Sequence, residues 1–272
     1  NQNNQNNQNN QNNQNNQNNQ NANGNGTSEA DVDALLERSK DGEQGDDWLH
    51  TDGNKILDKD GKQVWLTGVN WFGYNTGTNT FDGLWNSELK SSVKAIADHG
   101  FNAVRIPVPF FIFEDIGPYI HCYEYLDRAF EWAEEFQLKI LIDLHTVPGG
   151  HNGTDNSGIS GICLWSTREE CVDCTLRVLE RLAKRYGQRE ALWGIEALNE
   201  PMCSDTPSGA YLNIQEFIRY YTPAEPELAE GNANYSLAFL KQFYRDAYAR
   251  MRRHMAAVSY THLRAHETGR NL

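Results

Sequence analysis

In this 272-residue chain, four polar clusters stand within or at the ends of apolar, β-branched runs. Asn70-Trp71-Phe72 closes the run that starts at Val64, and Arg105 sits inside Ala103-Val104-Arg105-Ile106-Pro107-Val108. His145 closes Leu138–His145, and Asn199-Glu200-Pro201 closes the run from Ala191. A carboxylic acid, a fixed cation, an imidazole and a side-chain amide are the parts from which acid–base chemistry on a polar substrate is assembled. Any one alone reads as a satisfied core residue. The same placement four times over reads as one site.

The runs must position these groups. Val64–Phe72 reads as a buried strand, followed by Trp85, Leu89, Val93 and Ile96 at helical spacing and a stop at Gly100. The second run, 103–108, leads through a Phe-rich loop to a helix bearing Leu126, Phe130 and Ala133. The third, 138–145, leads through a Gly/Asn-rich loop to a helix with Val172, Leu176, Leu179, Ala183 and Tyr186, stopped by Gly187. The fourth, 191–199, precedes a helix with Leu240, Phe243, Ala247 and Met251. Apolar strands alternating with amphipathic helices mean parallel strands covered by helices. Polar groups at each strand end point to an α/β fold of the (β/α)8 TIM-barrel kind, truncated after about four units. No Gly-rich phosphate loop follows the first strand, which disfavours a doubly wound nucleotide-binding sheet and leaves no cofactor to expect.

The balance of 24 Lys+Arg against 37 Asp+Glu gives a net charge of −13. With no basic cluster, this argues against nucleic acid and against an anionic membrane surface as partners. No run approaches the roughly 18 apolar residues of a membrane-spanning helix. Residues 1–21 contain only Asn and Gln, so 1–26 reads as a disordered linker with nothing to offset chain entropy. Residues 27–47 read as a lead-in, 48–256 as the partial barrel, and 257–272 as a non-native tail. That tail resembles translated sequencing-adaptor sequence, which would make the i, i+4 pair His262 and His266 accidental.

Val104-Arg105-Ile106-Pro107-Val108, Asp143-Leu144-His145 and Leu198-Asn199-Glu200-Pro201 resemble, in order, the motifs of glycoside hydrolase family 5. The opening Trp65-Leu66-Thr67-Gly68-Val69-Asn70-Trp71-Phe72-Gly73 is similar to the first strand of that family's cellulases. The resemblance spans about residues 48–256 and implies a barrel that cleaves β-glycosidic bonds with retention. Position by position, it implies Glu200 as acid/base and Asn199 as the ligand of the sugar 2-hydroxyl. Arg105 would orient and charge the nucleophile, and His145 would wall the sugar site. Trp71, Phe72 and Trp165 would be sugar platforms, and His151 a further substrate contact. Asp143 would be structural or support its neighbours.

A retaining pair needs two carboxyls about 5–5.5 Å apart. The family's nucleophile is a Glu on the seventh strand, beyond this sequence, and Glu196 on a continuous strand would stand about 13 Å from Glu200. The expectation is therefore an enzyme of the β-glucanase class that is inactive as written. Asp143 to Gly153 and Asp155 to Gly158 resemble the exo-β-1,3-glucanase branch, which usually carries Gln where this chain has His151. The first strand resembles cellulases, so the substrate expected is a β-1,3- or β-1,4-glucan. Rival readings are a non-catalytic glycan-binding protein and a metal-dependent enzyme using His145, His151 and a cysteine. Cys122, Cys163, Cys171, Cys174 and Cys203 lack a second pair at zinc spacing, and a loop disulfide in a secreted protein is expected instead. The linker would tether an upstream carbohydrate-binding or docking module.

Overall fold

The computed structural model describes residues 28 and 30, and residues 50–255 apart from 59, 75–78, 115–121, 155–156 and 204–225. The tract 1–26, nearly all of 27–47, and the tail 257–272 with His262 and His266 lie outside the described residues.

A two-stranded antiparallel hairpin, β1 (His50–Asp52) and β2 (Lys55–Leu57), leads the fold. Next come β3 (Gly68–Asn70), α1 (Leu89–Asp98), β4 (Ala103–Val108), α2 (Tyr123–Glu135) and β5 (Lys139–Leu144). A 3-10 turn at Trp165–Thr167, α3 (Glu169–Tyr186), β6 (Leu192–Glu196) and α4 (Leu237–Arg252) complete it, with a short helical turn at Pro226–Ala229. The sheet order β3-β4-β5-β6 is sequential and every pairing is parallel. Right-handed crossovers between consecutive parallel strands put each connecting helix on the same face. These are four β/α units of a barrel wall.

The helices form where the pattern requires them. Leu126, Phe130 and Ala133 are buried along α2, and Leu176, Leu179, Ala183 and Tyr186 along α3. In α3, Glu169 and Glu170 open the first turn while Lys184 and Arg185 occupy the last, matching the helix dipole. The α4 N-cap is Ser236, whose side chain accepts a hydrogen bond from the Phe239 amide. Gly100 ends α1 in the left-handed region at φ +83°, a conformation natural to glycine. Gly187 ends α3 for another reason. Its φ is −62°, but a Cβ there would lie 2.3 Å from the Ala183 carbonyl oxygen and 2.8 Å from that of His254.

Three expected boundaries are corrected. The first strand is Gly68–Asn70 and not Val64–Phe72, and Trp65 is 76% exposed. Its apolar run exceeds what the pairing with β4 covers, since only Gly68 to Asn70 are matched across. Helix α1 begins at Leu89, so Trp85 is not on its buried stripe but 75% exposed in the preceding turn. The fourth strand ends at Glu196, and Ala197 to Glu200 continue without regular strand structure. The 13 Å spacing of Glu196 and Glu200 assumed a strand that does not continue.

The five cysteines are free thiols, which corrects the expected disulfide. Cys122 is the α2 N-cap residue, and the Cys163 thiol donates to the Ala233 carbonyl. Burial pushes both of these thiols up to about 12, far from a reactive thiolate at neutral pH. Among the described residues no helix is long and apolar enough to cross a membrane.

Candidate active site

Lateral hydrogen bonds continue past the assigned strand ends and level the residues that follow them. The Trp71 amide donates to the Arg105 carbonyl at 2.9 Å, His145 to Val108 at 2.9 Å, and Asn199 to Leu144 at 3.2 Å. The polar groups are thereby stacked side by side at one end of a parallel sheet, where a barrel places its active site.

Arg105 is the hub of the cluster. Its guanidinium meets Asp143 Oδ2 at 2.9 Å and Asn199 Oδ1 at 3.0 Å, donates to Glu196 through Nε, and makes a longer 3.5 Å contact with Asn70 Oδ1. Its rigid fork suits this division of donors, which a lysine could not reproduce. Asp143 is fully buried, and its Oδ2 also accepts from His145 Nδ1 at 2.6 Å. Burial pushes the Asp143 carboxyl up, while His145 and Arg105 pull it back. With Nδ1 committed to Asp143, the His145 ring orientation is fixed. The Phe72 ring meets it edge-on at 6.0 Å.

Glu200 follows Asn199 on the turn after β6, with its side chain exposed and its backbone at φ +45°. A non-glycine residue in that region costs roughly 1–3 kcal/mol and persists only where its surroundings enforce it. The enforcing contacts come from the loop after β5. His151 Nε2 donates to the Asn199 carbonyl, and Asn152 Nδ2 donates to the Glu200 carbonyl at 3.1 Å.

The structure brings Arg105, His145, Asn199 and Glu200 together at the strand ends, with Phe72 (40% exposed) and half-buried Trp71 beside them. The Trp71 indole N–H donates to the Asp82 carbonyl at 3.0 Å. Two residues are placed elsewhere. Trp165 is fully buried, its indole N–H on Thr175 Oγ1 at 3.1 Å and its ring set edge-on against Phe243 at 4.8 Å. It is core and not a platform. His151 is likewise fully buried, so it props the backbone of Asn199 and offers substrate no surface. Its ring is held neutral, because desolvation lowers it to about 4.

Sequence reasoning missed two members of this cluster. Glu196 serves as an ion-pair partner of Arg105, and Asn152 holds the Glu200 carbonyl. The available signal for Asn152 was an Asn between His151 and Gly153, a residue type that folds its side chain onto nearby backbone. Among the described residues no three His, Cys, Asp or Glu side chains are grouped to hold a metal ion. The ring nitrogens that His145 and His151 use are spent on Asp143 and Asn199.

Comparison with known proteins meets this geometry from outside. The family model for cellulase (glycosyl hydrolase family 5) matches residues 57–233. The chain is 36% identical over 157 residues to a glucan 1,3-beta-glucosidase of Pichia angusta, covering 55% of this chain and 34% of that protein. It is 33% identical over 213 residues to a probable glucan 1,3-beta-glucosidase A of Aspergillus terreus, covering 77% and 45%. It therefore spans less than half the length of these relatives. The fold is similar to the catalytic domain of the major endoglucanase from Xanthomonas campestris pv. campestris. That match has a TM-score of 0.51 and 23% identity, and covers 76% of this chain and 55% of the other.

Proposed function

We propose, because the chain belongs to the cellulase family, glycosyl hydrolase family 5, that it carries the acid/base side of a retaining glycosidase site for β-glucan. Glu200 is the acid/base. The reading is supported above all by the exposed Glu200 carboxyl beside Asn199, whose amide is held by Arg105 at the strand ends. An acid must reach the glycosidic oxygen, and a neighbouring fixed amide suits a sugar hydroxyl. The substrate is β-1,3-linked and attacked from its end, as the names of both relatives suggest. His145 and Phe72 form the wall against which the terminal sugar ring rests.

Retention also needs a nucleophilic carboxylate about 5–5.5 Å from the acid. Among the described residues two carboxylates lie close by, and both are committed: Asp143 is fully buried on Arg105 and His145, and Glu196 is ion-paired with Arg105. The 272-residue chain alone therefore binds laminarioligosaccharide without releasing glucose. Residues 48–255, continued to the relatives' full length, hydrolyse it with retained anomeric configuration, read by proton NMR. Glu200→Gln in that protein lowers kcat by about 10²–10⁴-fold, the usual contribution of a general acid. Release of the inverted anomer, or an unchanged rate, removes the reading. The commitment of both carboxylates also favours a second reading, a glycan-binding protein without catalysis. In that case the continued protein turns nothing over, and Glu200→Gln binds laminarioligosaccharide as the wild type does.

A further inference from the structure

The loop after β5 grips the turn after β6 at two consecutive peptide groups. Nε2 of His151 donates to the Asn199 carbonyl, and Nδ2 of Asn152 donates to the Glu200 carbonyl at 3.1 Å. Both donors are rigid. His151 is fully buried, with its ring edge-on to Trp165 at 6.4 Å. Asn152 is 1% exposed, and its Oδ1 accepts from the Thr154 amide at 3.0 Å and the Thr154 hydroxyl at 2.9 Å. That pair of bonds fixes which way the Asn152 amide faces and aims its N–H at Glu200. The gripped peptides flank the left-handed residue, Glu200 at φ +45°. On the far side, the Asn199 amide donates to Leu144 at 3.2 Å and the Met202 amide to the Tyr235 hydroxyl at 2.8 Å. The backbone conformation of Glu200 sets the direction in which its Cα–Cβ bond leaves the turn.

We propose that His151 and Asn152 are positioning residues that hold Glu200 in its left-handed conformation and so aim its carboxyl at the leaving-group oxygen. The assignment rests on the reading of Glu200 as the acid/base. Neither residue touches substrate, because both are buried beneath the turn they hold. The pair works as a unit: one donor on each carbonyl prevents the Asn199–Glu200 peptide from rotating back to an ordinary conformation.

The first test uses the 272-residue chain and needs no turnover. His151→Phe keeps a buried ring but removes the donor, and Asn152→Ala removes the second donor. Both speed amide hydrogen exchange at Asn199 and Met202 by at least about tenfold relative to wild type, while exchange in α2 and α3 is unchanged. His151→Gln restores a donor and brings exchange back. Unchanged exchange at the turn in both variants overturns the proposal.

The second test uses the protein continued to the relatives' full length and varies the leaving group. Aiming the acid matters for laminaribiose, whose leaving sugar needs a proton, and little for 2,4-dinitrophenyl β-glucoside, whose leaving phenolate does not. His151→Phe then lowers kcat on laminaribiose by about 30-fold or more and on the dinitrophenyl substrate by less than about threefold. Equal losses on both substrates mean general loosening and overturn the positioning role. A wild type that cleaves neither substrate removes the glycosidase reading, and the exchange measurement alone then decides whether the grip exists.

Discussion

At the residue scale, one guanidinium carries most of the site's order. Arg105 meets a buried carboxylate on β5, and a second carboxylate and an amide at the end of β6. Removing it leaves Asp143, fully buried, without its cation. Arg105→Met is therefore expected to cost about 3 kcal/mol or more in urea unfolding, the usual penalty of orphaning a buried charge. A loss below about 1 kcal/mol would mean that Asp143 is neutral in the fold. His151 adds a pH dependence of definite sign. Its folded-state value, about 4, lies below the ordinary 6.5, so the fold binds the proton less well than the unfolded chain does. This contribution is complete above pH 6.5 and is lost as pH falls toward 4, by about 3 kcal/mol in total. Stability curves of wild type and His151→Phe should run parallel above pH 6.5 and diverge below it. Parallel curves down to pH 4 would contradict the neutral buried ring.

At the scale of elements, α3 and the turn after it are bound to α2 and the loop before it by a repeated device. Arg181, Arg185 and Arg189 recur every four residues and lie over Phe113, Tyr123 and Phe130. Each also pairs with a carboxylate, respectively Glu114, Asp127 and Glu134. The partners of Arg185 and Arg189 form two-point forks, which hold geometry better than single contacts. Exposure grades their worth, because water screens the outer pair most: Arg181 and Glu114 are 49% and 43% exposed, Arg189 and Glu134 29% and 28%. Arg189→Ala should thus lower stability by roughly 1 kcal/mol and Arg181→Ala by under about 0.5 kcal/mol, read by thermal unfolding. The reverse order would place the energy in the outer cation–π contact. Trp165 belongs to the same scale, since it joins the 3-10 turn to α3 and α4. Trp165→Ala should cost about 3–5 kcal/mol as a core truncation, with oligosaccharide affinity of the folded fraction unchanged.

At the scale of the whole molecule, the four-stranded sheet presents one edge of β3 and one of β6 without a strand partner among the described residues. Parallel edges of this kind recruit other chains. Residues 27–256 expressed alone are expected to aggregate or to form a dimer, measured by light scattering after size exclusion. A strictly monomeric species with a cooperative thermal transition would contradict this.

Much of this protein is legible from residue order alone. The alternation of apolar runs with helical stripes was enough for four parallel strands and their helices, because a strand buried on both faces must be apolar throughout. Polar residues at run ends marked His145 and Asn199-Glu200, and Arg105 stood out inside its run, since an apolar run has no local reason to hold or close on them. Which aromatic faces solvent was not legible. Trp65 and Trp85 look like core by pattern and stand exposed, while Trp165 looks like a loop platform and is sealed by Phe243 and Thr175. Burial depends on what arrives from distant sequence, and hydropathy cannot carry that information. The same holds for His151 and Asn152. Their partners lie 48 residues away in the chain, and only the tertiary fold brings those donors onto the carbonyls of Asn199 and Glu200.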